Sequence, residues 1–142
     1  MKIKVLLILV VVISVVSCNF PKDPNSTFQK IKKKGLLIGV VNNPPYRIVK
    51  DSSFTGKEVG ILKEFCNSED LSYRFITASE TDLVKNLKNF KIDIVIGGFE
   101  KNSVWKKDVG MTKPYDKVHV LLIPKGENRF LYQLEKYLTT SK

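Results

Sequence analysis

Cysteine, histidine and tryptophan are scarce: two Cys, one His and one Trp in 142 residues. Two thiols cannot build a disulfide framework. With one His they cannot complete a four-ligand zinc site either, which excludes most metalloenzyme and thiol–imidazole chemistry. Proline and glycine are sparse too, at 6 and 8 residues, while 43% of the chain is hydrophobic, so a collagen-like or disordered chain is excluded. Phosphate loops, a nucleophile with its base and paired carboxylates have no signature here. No catalytic residue, cofactor or metal site is therefore expected. The length suits one domain.

Long apolar runs are also missing, except one at the front. Lys2 and Lys4 precede an almost unbroken run from Val5 to Val16. Twelve helical residues would span about 18 Å, short of the roughly 30 Å hydrocarbon core, so the pattern is that of an export signal. An uncleaved anchor, or a secretory signal with an accidental Cys, is the plainer alternative. The run ends in Val15-Val16-Ser17-Cys18, which resembles a bacterial lipobox. That resemblance implies a signal peptide over 1–17 and lipid on Cys18, holding the protein to the cell membrane or outer membrane and facing the periplasm or exterior. Several acyl chains, at about 0.8 kcal/mol per buried CH₂, make such an anchor stable.

Acids are outnumbered, 14 against 24 Lys and Arg, and without residues 1–17 the balance is still +8. On an exported protein this charge points to anionic headgroups or to solubility rather than to nucleic acid. Residues 18–34, with Pro21, Pro24 and Lys32-Lys33-Lys34, read as a tether, with Phe28 and Ile31 adding a short helical turn. Cys66, beside Phe65 in a helical apolar pattern, reads as a buried hydrophobe.

From residue 35 onward strands and helices alternate. Leu36 to Val41 is a continuous apolar run, the form of a strand buried on both faces, and it ends at Asn42-Asn43-Pro44-Pro45. Tyr46–Val49 is a brief second strand, and Glu58–Glu69 has helical spacing at Ile61, Leu62, Phe65 and Cys66. Ser72–Ile76 alternates as a strand, and Ser79 with Asp82 resembles a capping box ahead of Leu83, Val84 and Leu87. Ile92–Ile96 is a buried strand running into Gly97-Gly98, and Val118–Ile123 is another. Residues 127–139 close the chain as an amphipathic helix. This order predicts an α/β fold, a single three-layer lobe with a mainly parallel sheet. In such sheets ligands meet the carboxyl ends of the strands, here 42–46, 77–79 and 97–100.

Four segments in order resemble the family 3 extracytoplasmic solute-binding proteins, the amino-acid-type binding components of ABC transporters. Leu37-Ile38-Gly39-Val40 with Pro44-Pro45-Tyr46 resembles the first strand and aromatic ligand loop, and Gly56–Phe65 the acidic helix motif. Lys91–Gly98 resembles the "G-K-I-D" strand and Lys113-Pro114-Tyr115 the strand-to-hinge signature. The resemblance implies a periplasmic-binding-protein-like lobe over 35–142 with the second lobe absent, because Gly126-Glu127-Asn128 leads straight into the closing helix. Some relatives carry cell-wall lytic domains, for which this length leaves no room.

The resemblance places Asn43, Tyr46, Glu58, Gly97, Gly98, Phe99, Trp105 and Tyr115 at the solute face. One departure matters: the Arg that forks onto a ligand carboxylate is replaced by Trp105, whose indole has one N–H and no paired donors. Lys101 or Lys106 supplies charge without that geometry. Two expectations follow, with a small amino-acid-like solute or an envelope protein as partner. One is non-catalytic solute recognition at the envelope, serving an ABC transporter; the other is a protein-interaction module that has lost solute binding. Plainer roles stand beside them: Glu58 capping its helix, Gly97-Gly98 forming a turn, Trp105 packed, His119 satisfied within a strand and Asp93 capping a loop.

Overall fold

Adjacent aliphatic residues in a strand point to opposite faces, and this alternation sets the layers. In the computed structural model, which describes residues 22–41, 48–50 and 53–140, Ile94 and Ile96 are buried in one cluster and Val95 in another. Leu121 and Ile123 likewise part from Val120 and Leu122. A strand that is apolar on both sides must lie between two helical layers.

The elements in chain order are α1 (Thr27–Lys34), β1 (Leu36–Val40), β2 (Ile48–Lys50), β3 (Ser53–Thr55), α2 (Lys57–Ser68), β4 (Tyr73–Thr77) and α3 (Glu80–Lys88). Then come β5 (Ile94–Glu100), a 3₁₀ turn (Val104–Lys107), β6 (Gly110–Met111), β7 (His119–Ile123) and α4 (Asn128–Thr140). The main sheet has the order β4-β1-β5-β7-β6. Strand β1 pairs in parallel with β4 and β5, with Ile38 opposite both Phe75 and Ile94. The β5-to-β7 connection carries no crossover α-helix, and β7 returns antiparallel to β5 and β6. The β2–β3 hairpin stands apart.

One face of the sheet is covered by α1, α2 and α4, through Phe28 and Ile31, Val59, Leu62 and Phe65, and Phe130, Leu134 and Leu138. The other is covered by α3, through Leu83, Val84 and Leu87. Helix α3 starts where its capping box predicts: the Ser79 hydroxyl accepts the Asp82 N–H at 3.1 Å. Cys66 lies wholly buried on the first face, and burial pushes its thiol up to about 11. Asp93 does not cap a loop: its carboxylate accepts the N–H of Leu37, a residue of strand β1, at 2.8 Å.

Two further expectations need correction. Residues 27–34 are not tether but helix α1, and Phe28 and Ile31 belong to the core. The sequence disguises this, because three of the helix's eight residues are the exposed lysines of its last turn. Strand β5 does not stop at Gly97-Gly98 but runs on to Glu100, with a register shift between Val95 and Phe99. Gly98 makes that irregularity possible, with φ 71 in the left-handed region.

Two of the three helices on the first face, α1 and α4, cap each other. Asp23 accepts the N–H of Phe28 through one oxygen and those of Arg129 and Phe130 through the other, at 3.0, 2.7 and 3.1 Å. Buried Glu127 accepts the N–H groups of Asn25 and Thr27 at 2.9 and 3.1 Å. Each carboxylate thus satisfies N–H groups that the other helix's first turn leaves open. The predicted signal over 1–17, Cys18 and the ligand-loop residues Asn43, Pro44, Pro45 and Tyr46 lie outside the described residues.

Candidate functional site

Strand β1 ends at Val40, opposite Ile96, whereas β5 continues for four more residues. The overhang is paired with β7, Phe99 opposite Val120 and Glu100 opposite His119. Beyond the last β1 pair, the Gly98 N–H donates to Glu58 Oε2 at 3.0 Å. Glu58 Oε1 accepts the Tyr115 hydroxyl at 2.9 Å. One carboxylate therefore joins the first turn of α2, the glycine pair of β5 and the segment leading into β7.

Glu58 is 0% exposed. Burial disfavours its charged form and raises the pKa. The N–H groups of Gly98 and Gly97, the Tyr115 hydroxyl and the nearby His119 pull the other way without cancelling that effect. It stands in the first turn of α2, but burial works against the charge that the expected dipole role needs. Its full burial means that it shapes the strand-end face through Gly98 and Tyr115.

A second acid continues the arrangement outward. Asp116 Oδ1 accepts the N–H groups of Val118 and His119 at 2.9 and 2.8 Å, and its Oδ2 lies 2.9 Å from His119 Nδ1. Partial burial opposes ionisation, but those N–H groups and the ring together hold the carboxyl below its ordinary range. Lys57 Nζ stands 3.4 Å from Asp116 Oδ2 and 5.2 Å from the Tyr115 ring centre. His119 is thus a satisfied strand residue.

The expected site residues divide. Glu58, Gly97, Gly98 and Tyr115 come together at the strand ends. At Gly97 a Cβ would sit 2.8 Å from Val41 Cβ, so the close approach of β1 and β5 needs glycine there. Phe99 is buried on the α3 face, while Tyr115 is buried on the other. Two aromatics expected at the solute face are therefore split by the sheet, Phe99 leaving β5 on the α3 side and Tyr115 packing on the other side from the connection into β7. Trp105, on the 3₁₀ turn, is half-buried against the α3-side core, and its Nε1 donates to Glu80 Oε1 at 2.6 Å.

Beside that turn, Lys101, Lys106, Val109, Met111, Thr112 and Val120 line a cavity of about 330 Å³. Two of its lining residues, Lys101 and Lys106, are the lysines expected to supply charge where the family has its Arg. Sequence reasoning missed Asp116 and Glu80. An Asp two and three residues ahead of the N–H groups it accepts is the available signal for the first. Glu80 was hidden by its place in a helix's first turn, where an acid needs no further explanation. Among the described residues no group of three or more His, Cys, Asp or Glu is placed to hold a metal. Among them, too, no helix is long and apolar enough to cross a membrane.

Comparison with known proteins follows the same lines. The fold matches the arginine-bound form of domain 1 from TmArgBP, with a TM-score of 0.71 and 23% identity over 78% of this chain and 97% of that one. It also matches an ancestral cationic amino acid solute-binding protein, with a TM-score of 0.74 and 13% identity over 80% of this chain and 93% of that one. These likenesses establish the fold. In sequence, the chain is 27% identical over 95 residues to membrane-bound lytic murein transglycosylase F of Vibrio cholerae, in two strains. The match covers 66% of this chain but only 18% of that enzyme's length. A family model matches residues 36–139, nearly the whole of the described lobe, and by that match the chain belongs to the bacterial extracellular solute-binding proteins, family 3.

Proposed function

We propose that this chain is a lipid-anchored recognition lobe of the bacterial cell envelope, binding a small amino-acid-like solute without chemistry of its own, in the service of a transport system. The observation that carries the reading is the Glu58 carboxylate holding Gly98 and Tyr115 at 3.0 and 2.9 Å. It fixes the backbone at the carboxyl ends of the strands, where ligands meet sheets of this kind. A single lobe leaves a solute more open to water than the 70–90% burial typical of closed pockets. Yet the neighbour named above is a lone domain 1 in its arginine-bound form, so one lobe of this fold suffices to hold an amino acid.

A thermal-shift screen of the purified chain against amino acids tests the reading. A saturable shift that Tyr46→Ala abolishes is expected, at millimolar solute because the face is open. Absence of a shift with every amino acid would overturn it. Palmitate label on Cys18, lost in Cys18→Ser, tests the anchor separately. The relationship to a murein transglycosylase calls for one control: the chain is expected to leave purified murein intact.

The bond between Trp105 and Glu80 favours a second reading, a protein-interaction module that has lost solute binding. The indole stands where the family's Arg would be, and its N–H is already engaged at 2.6 Å. Under this reading a partner protein, and no solute, shifts the melting temperature, and Val104, 82% exposed beside the indole, is part of the contact.

A further inference from the structure

The amino ends of β1, β4 and β5 lie together at the end of the sheet opposite Gly98, because the three strands are parallel. A cavity of about 390 Å³ opens there, lined by Lys30 and Lys34 of α1, Arg74 of β4, and Phe90 and Lys91 ahead of β5. The four cations are exposed, and none of them is a partner in the ion pairs of the described residues. The carboxylate in the wall, Asp93, accepts the Leu37 N–H at 2.8 Å and lies near enough to Lys30 to feel its charge, so it offsets part of one of the four. Helix α1 contains no acid and ends in Lys32-Lys33-Lys34. Phe90 adds an aromatic ring, 39% exposed and held out on a residue with φ 55.

The chain enters the lobe close by. The Lys22 carbonyl accepts the Asn128 N–H at 3.2 Å, and Asp23 caps α1. Asn128 follows closely on Ile123, the last residue of β7, and β7 runs antiparallel to β5 with Leu122 opposite Val95, so Lys22 meets the lobe on the amino-end side of the sheet. Cys18 is four residues earlier, a reach of at most about 14 Å even fully extended. A lipid on Cys18 would therefore draw this end of the lobe toward the bilayer.

We infer that the amino-end face of the sheet, with Lys30, Lys34, Arg74 and Lys91 around Phe90, is a docking surface for anionic phospholipid headgroups. The inference rests on the lipid-anchor reading for its geometry. It adds that the lobe lies with its strand-end face, and any solute bound there, turned away from the membrane. Charge complementarity is the attractive term, and Phe90 matches the headgroup level, where aromatic rings are favoured.

The test compares the full chain on vesicles of phosphatidylcholine alone and on vesicles mixed with phosphatidylglycerol. Each basic residue near an anionic surface is worth about fivefold in partitioning. Replacing all four together (Lys30→Gln, Lys34→Gln, Arg74→Gln and Lys91→Gln) should lower binding to the anionic vesicles several hundredfold and leave the neutral ones unaffected. If that variant misfolds by circular dichroism, wild-type binding is followed toward about 1 M salt, where screening shortens to about 3 Å; the anionic preference should vanish. Equal binding to both vesicles would overturn the inference while leaving the anchor intact. So would an anionic preference that the four substitutions do not change, or saturable binding of inorganic phosphate without any vesicle preference. A Cys18→Ser chain that keeps its preference for anionic vesicles upholds the surface even if palmitate labelling fails.

Discussion

At Glu58 a single side chain carries two kinds of consequence. Its carboxylate accepts from Gly98 and Tyr115 while wholly buried. Truncation leaves both donors without an acceptor, so Glu58→Ala should cost about 2–4 kcal/mol in urea denaturation, and Glu58→Gln, which retains an acceptor oxygen, clearly less. The pH dependence follows from the raised pKa. The native state keeps the proton over a range in which the unfolded chain has released it, so stability falls as pH rises from the ordinary 4.5 through the raised value. Asp93 is raised as well, by burial, and adds to the same trend. Asp116 works in the opposite sense at lower pH. Its carboxyl is held down, so its stabilisation is present above the ordinary 3.8 and fades as pH drops below it. Melting curves from pH 4.5 upward should therefore flatten partly in Glu58→Gln, with the remaining slope due to Asp93. An unchanged slope would mean that Glu58 is not the buried acid described.

Among the elements, α1 changes the account most. Its Phe28 is 2% exposed and stacks on Phe130 of α4, with ring centres 6.5 Å apart. Phe28→Ala should destabilise by about 3–5 kcal/mol, the usual cost of deleting a buried aromatic, whereas a tether residue would show no effect. The reciprocal caps make a second prediction. Asp23→Ala strands three N–H groups on two helices, so its cost should exceed the roughly 1 kcal/mol of an ordinary cap. Because Asp23 and Glu127 serve the same pair of helix ends, the double substitution should be less than additive in a mutant cycle.

For the molecule as a whole, three helices on one face and α3 on the other share the same strands, so the two cores should melt together. Trp105 reports on the α3 side and Cys66 on the other. In a Cys18→Ser chain, thiol modification of Cys66 should be negligible in the native state, since the thiol is buried and its pKa is pushed up to about 11. It should appear along the same urea curve as the loss of Trp105 fluorescence. Separate transitions would show that the layers are independent. Helix α4 follows β7 across the short 124–127 connection, where the family resemblance would place a second lobe, and it supplies Phe130, Leu134 and Leu138 to the first core.

The sequence by itself left β3, the 3₁₀ turn and β6 unread. It made legible the alternation of the main strands with α2, α3 and α4, the burial of β1, β5 and β7, the Ser79 cap and the family. Each of these is written locally, in alternation, helical spacing or a short run of neighbours. It also named Glu58, Gly97, Gly98 and Tyr115, which do converge. Only the tertiary structure decided that Phe99 and Tyr115 lie on opposite faces, and that Trp105 bonds to Glu80. The same holds for β5 running through its glycines and for a lysine-rich segment belonging to the core. Those outcomes depend on which distant group answers a given N–H or covers a given ring. Glu58 meets Gly98 across 40 residues and Asp23 meets Arg129 across 106, and no local pattern encodes a partner that far away.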